Sequence, residues 1–123
     1  MSLKKPVSLL PAAAQLYDVH VELTRLVKIF GSNTLARILG VDPAMVSRWH
    51  KQTSPVSTDM RAKISHVDHA IGRLLQVLTP SSAESWLFGN NPWVNGRPID
   101  ALTLGKYDRV LEAIDAEESG AYF

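Results

Sequence analysis

Apolar residues recur along this chain at spacings of three and four. No sustained alternation of apolar and polar positions interrupts them, so the pattern predicts helices throughout and an all-α fold. A first helix is expected from near Pro11 to Phe30, where Leu16, Val19, Leu23, Leu26, Val27 and Phe30 form one stripe and Gly31 supplies a stop. Ser32 or Asn33 caps a short second helix carrying Leu35, Ala36, Ile38 and Leu39, ended by Gly40. Asp42-Pro43, a capping carboxylate followed by proline at the first helical position, opens a third helix to about Lys51. Beyond the polar linker Gln52–Ser57, the residues Met60, Ile64, Val67, Ile71, Leu74 and Leu78 predict one long helix from Ser57 or Thr58 to just before Pro80. Such a helix is roughly 30 Å long, enough to bridge two small domains. Ser81 and Glu84 have the spacing of a capping box for a short helix through Trp86 and Leu87. Gly89-Asn90-Asn91-Pro92 and Asn95-Gly96-Arg97-Pro98 are turn chemistry around Trp93 and Val94. A short turn at Ile99–Leu102 and a last helix from about Lys106 to Ala116 complete the pattern. Glu117-Glu118 then falls on a frayed end, and Gly120-Ala121-Tyr122-Phe123 forms a tail.

Length and composition narrow this picture. The 123 residues suit one domain, or two very small ones sharing a core and divided into 1–56 and 57–123. Hydrophobic residues make up 46% of the chain, which argues against disorder. The absence of cysteine excludes a disulfide framework and thiolate chemistry and points to a cytoplasmic protein. No apolar run approaches the roughly 18 residues of a membrane span. Lys4 and Lys5 ahead of Val7–Leu10 imitate a secretion signal only faintly, because Pro6 and Pro11 break the stretch. The net charge of +1 conceals a polarity. Ten Lys/Arg against five Asp/Glu give residues 1–78 a charge of +5, whereas three against seven give residues 79–123 a charge of −4. A basic half followed by an acidic half suggests two different partners, one of them a polyanion.

Ser32–Lys51 has the spacing of a helix-turn-helix. Ala36 is small where two helices cross, Gly40 gives the turn a permissive backbone, and Val41 plugs it. Val46 and Trp49 turn the second helix back onto Leu35 and Leu39. Ala44, Ser47, Arg48 and Lys51 are then left on the outward face. Arg48 suits guanine edges, Ser47 a base or phosphate, Lys51 a phosphate and Ala44 a thymine methyl. A plain helical hairpin has the same spacing but gives no reason for basic residues on that face.

Catalytic constellations are absent. The chain has no P-loop, no glycine-rich dinucleotide turn and no Ser/His/Asp arrangement, so neither an enzyme nor a cofactor is expected. His66 and His69 lie one helical turn apart but lack a third metal ligand at recognisable spacing, and read better as a solvated face. His20 and His50 stand alone. Trp86, Phe88 and Trp93 fall within eight positions of the acidic half, either as core or as anchors for a protein partner. Trp86 is expected to be buried on the long helix, and Trp49 to be core.

The run Trp86-Leu87-Phe88, Asn91-Pro92, Gly96-Arg97-Pro98, Leu102, Gly105, Val110-Leu111, Ile114 and Gly120 resembles the toxin-binding domain of Xre/MbcA/ParS-type antitoxins. That similarity covers roughly residues 60–123, and a helix-turn-helix is its usual companion. The resemblance implies a type II antitoxin that neutralises a RES-domain toxin, an NAD⁺-using protein, by covering its active site. On this sequence that role falls to the last helix around Arg109 and Glu112 and to Gly120, Ala121, Tyr122 and Phe123. It further implies a homodimer that represses its own operon by binding operator DNA. The segment before Leu16 has no counterpart in that pattern. The competing reading is a stand-alone, phage-type repressor whose C-terminal half only dimerises.

Overall fold

The computed structural model describes residues 18–120, and these form six helices. Expectations that fall on residues 1–17 and 121–123 lie outside the described residues. Helix α1 (Val19–Leu39) starts from Asp18, whose carboxylate accepts the backbone N–H groups of His20 and Val21. It is broken where the sequence placed a stop: Gly31 sits at φ 79° and ψ 166°, dividing α1 into two helical halves. Gly40 ends the second half at φ 73°, and its amide and that of Val41 return to the carbonyls of Arg37 and Ala36. Helix α2 (Pro43–His50) is capped by Asp42, which accepts from Ala44 N–H at 2.9 Å.

Helix α3 (Thr58–Leu74) starts from Ser57 but stops well short of Pro80. Gln76, Val77 and Leu78 instead form hydrogen-bonded turns on the carbonyls of Arg73 and Leu74. The cause lies downstream. Thr79 must be extended (ψ 161°) to cap the next helix, and a residue before proline disfavours the helical conformation. The shortened helix lies alongside α1 and the last helix instead of bridging separate bodies. Helix α4 (Pro80–Phe88) takes Thr79 as its cap, with Thr79 Oγ1 accepting from Ser82 N–H at 3.3 Å, in place of the expected Ser81/Glu84 box. Helix α5 (Pro98–Thr103) occupies the expected short turn, and α6 (Tyr107–Ser119) runs three residues past the expected end to Gly120 at φ 70°. Glu118 is therefore helical and pairs with Arg73 at 3.2 Å, beside the Arg73–Asp115 pair at 2.7 Å.

One hydrophobic core joins these helices. Leu23 and Leu26 of α1, Val46 of α2, Ile64 and Leu74 of α3, Leu87 of α4, Leu102 of α5 and Ile114 of α6 all belong to it. Two polar links reinforce the packing of α1 on α3. Arg25 grips Asp68 through two N–H···O bonds of 3.2 and 2.6 Å. Glu22 is buried at 1% exposure and accepts the Ser65 hydroxyl at 2.9 Å. Burial pushes the Glu22 carboxyl above its ordinary pKa, against the opposing effect of that hydrogen bond.

Candidate nucleic-acid interface and partner-binding face

The second half of α1, the Gly40 turn and α2 follow one another as helix, turn and helix, with the two helices packed together. Leu35, Ala36 and Leu39 face Val46 and Trp49 across a buried seam, with Trp49 at 8% exposure. Burial of Val46 and Trp49 fixes the rotation of α2 and leaves Ala44, Arg48 and Lys51 exposed, with Ser47 half-buried at the edge. The Arg48 guanidinium touches only the Met45 sulfur, at 3.9 Å, among the described residues. A long cation without a carboxylate partner on an exposed helix face is free to meet an anion.

The far end of α2 holds a contact that the sequence reading missed. His20 and His50 do not stand alone: the His20 Nε2 lies 3.0 Å from the His50 carbonyl oxygen, and the two rings stack at 5.8 Å. This bond ties the start of α1 to the end of α2 across thirty positions of sequence. Nothing in residue spacing announces it. His66 instead stacks on Tyr107 at 4.5 Å. Among the described residues, no group of three or more His, Cys, Asp or Glu is placed to hold a metal ion.

The acidic half presents a different surface. Val110, Ala113 and Ile114 bury the inner side of α6, so Arg109 and Glu112 are exposed on its outer side, and half-buried Gly120 closes the helix. Ala121, Tyr122 and Phe123 lie outside the described residues. Helix α4 packs chiefly on α1 and α5, not on the long helix. Its buried residues are Ala83 and Leu87, while Trp86 is only half-buried, with an indole N–H that has no hydrogen-bond partner among the described residues. Phe88 packs against the core and carries the Arg37 guanidinium 4.8 Å above its ring centroid. Trp93 stands 42% exposed on a braced turn. Asn91 and Gly96 exchange backbone hydrogen bonds of 2.7 and 3.3 Å, and the Asn91 side chain accepts Trp93 N–H at 2.9 Å.

The two surfaces meet at Thr103. Its hydroxyl lies 3.0 Å from the carbonyl oxygens of both Ile38 and Ile99 and 3.2 Å from that of Arg37. Lys63 of α3 donates to the Thr103 carbonyl at 3.0 Å, and burial lowers its pKa. A Cβ on Gly40 would meet Thr103 Cγ2 at 3.1 Å, so the bare glycine allows α5 to approach the end of α1.

The described residues are thus all helical in order, with α2 exposing Arg48 and Lys51 at one place and α6 exposing Arg109 and Glu112 at another. Searched against protein-family models, the chain matches none. It is similar in sequence to the mycobacterial cidal antitoxin MbcA of Mycobacterium tuberculosis and of Mycobacterium bovis. It is 28% identical to each over 86 residues, which cover 69% of this chain and 76% of each relative. Its fold matches one chain in the crystal structure of the M. tuberculosis MbcT–MbcA toxin–antitoxin complex. The TM-score is 0.72 at 22% identity, over 85% of this chain and 97% of that one. In sequence and in fold, this chain resembles the MbcA-type antitoxins.

Proposed function

We propose that this chain is the antitoxin of a toxin–antitoxin pair, acting by binding and not by catalysis. The observation that carries this reading is the match over nearly the whole of a chain from a toxin–antitoxin complex. The partner is a RES-domain toxin that uses NAD⁺, and the antitoxin covers its active site. The exposed side of α6, with Arg109 and Glu112, and residues Gly120, Ala121, Tyr122 and Phe123 supply the covering surface. The inner side of α6 is committed to the core, which leaves its outer side available to a partner. The basic half carries the second activity. Ala44, Ser47, Arg48 and Lys51 of α2 bind operator DNA, and the homodimer represses its own operon, in the cytoplasm and without a cofactor. Supporting this are an Arg48 without a carboxylate partner among the described residues and the rotation of α2 fixed by Val46 and Trp49. The 1–56 and 57–123 portions divide these roles while sharing one core.

Co-expression with the product of the neighbouring gene, followed by affinity purification of the tagged chain, tests the first activity. A stable complex of the two products is expected. Recovery of the chain alone, bound tightly to a DNA operator, would favour the stand-alone repressor.

A further inference from the structure

Among the described residues, four helices are followed by a residue in the left-handed conformation: α1 by Gly40 (φ 73°), α2 by Gln52 (φ 62°), α5 by Gly105 (φ 78°) and α6 by Gly120 (φ 70°). Three of these positions hold glycine, which reaches that conformation without steric strain. The fourth, Gln52, holds a side chain for which it is unfavourable. The termination of α2 is otherwise regular: Gln52 N–H returns to the Trp49 carbonyl at 3.1 Å and Thr53 N–H to the Arg48 carbonyl at 2.9 Å. Glycine would serve this turn better. Asn95, the other non-glycine residue with positive φ, is of a type that tolerates the conformation, and it sits in a tight turn. Gln52 gains nothing from the fold in compensation. It is exposed, and its amide has no hydrogen-bond partner among the described residues.

Its position explains the choice. Gln52 directly follows Lys51, and the Thr53 hydroxyl as well as its N–H bonds back to the Arg48 carbonyl. The turn is thereby held against the last turn of α2, beside the two exposed cations. We infer that Gln52 is a DNA-backbone clamp, its side-chain amide donating to a phosphate oxygen at the rim of the groove that α2 enters. This inference rests on the reading of α2 as a recognition helix and adds a contact to it. A neutral amide there fixes the register of the protein on the duplex without reading sequence.

The test uses the full chain. Duplexes are selected from a random-sequence pool by the wild type. Affinities for the preferred duplex and a scrambled one are then measured across a salt series, beside the melting temperature. Gln52→Gly relieves the strain and removes the amide. It should melt roughly 2–5 °C higher and bind both duplexes about tenfold more weakly. Its salt dependence should be unchanged, because no charge is lost. Gln52→Ala keeps the strain and should lose the same affinity without the gain in melting temperature. A Gln52→Gly chain that melts higher yet binds as tightly as wild type overturns the clamp alone. Failure of the wild type to select any duplex overturns the reading of α2 itself, and the clamp with it.

Discussion

The Thr103 hydroxyl lies 3.0 Å from the carbonyl oxygen of Ile38, sixty-five positions away, and so joins the end of α5 to the end of α1. Carbonyls at a helix C-terminus lack a partner within the helix; that of Arg37 takes the Gly40 N–H, and the single Thr103 hydroxyl hydrogen lies within reach of both it and that of Ile38. Thr103→Val keeps the shape and removes the donor. It should lower stability by about 1–2 kcal/mol. Urea unfolding of the two chains checks this, and an unchanged midpoint would mean that water serves those carbonyls equally well.

Glu22 gives the protein a pH signature. Its folded pKa is raised by burial above the ordinary 4.5, so between these two values the folded state holds more protons than the unfolded chain. Stability contributed at this site therefore falls as pH rises through that window and is fully present below 4.5. Glu22→Gln retains an acceptor for Ser65 and removes the titration. The variant should gain on wild type as pH rises from acid to neutral, read as urea midpoints at each pH. A difference between the two chains that does not vary with pH would contradict the assignment.

On the basic face, Arg48→Ala should weaken binding to the preferred duplex by roughly 1–3 kcal/mol and relax sequence preference. Lys51→Ala should weaken all duplexes alike and reduce the salt slope by about one. Operator titrations across a salt series distinguish the two. Unchanged binding by the double variant, with helix content intact, would remove α2 from the interface.

The two tryptophans of the acidic half should part company. Trp86 packs its half-buried ring on the core, so Trp86→Ala should lower stability by about 2–4 kcal/mol. Trp93 is 42% exposed on a turn braced by other groups, so Trp93→Ala should change stability by less than about 0.5 kcal/mol. Thermal melts of both variants decide. A large loss at Trp93 would show that its ring, and not the Asn91 bonds, holds the turn.

Much of this architecture is legible in local chemistry. Gly31, Gly40, Asp42-Pro43 and Ser57 each impose a backbone state within their own neighbourhood, and each breaks or caps a helix where the sequence places it. The outward face of α2 is equally legible, because Val46 and Trp49 fix its rotation. Errors arise where two local signals compete. Apolar spacing carries α3 on to Leu78, but the turn before Pro80 prevails, and Thr79 rather than Ser81 gains the capping role by directly preceding that proline. The contacts that assemble the surfaces are not legible at all. His20 with His50, Glu22 with Ser65 and Thr103 with Ile38 are separated by 30 to 65 positions, and no spacing rule connects them.

The most direct test of the central claim is growth of cells expressing the proposed cognate toxin, with and without this chain. The full chain should restore growth. If residues 120–123 supply part of the covering surface, as proposed, a chain lacking them should fold, bind operator DNA nearly as well and fail to rescue. Full rescue by the truncated chain would move that surface onto the exposed side of α6 around Arg109 and Glu112. No rescue by the full chain, when both proteins are produced and folded, would contradict the assignment as an antitoxin.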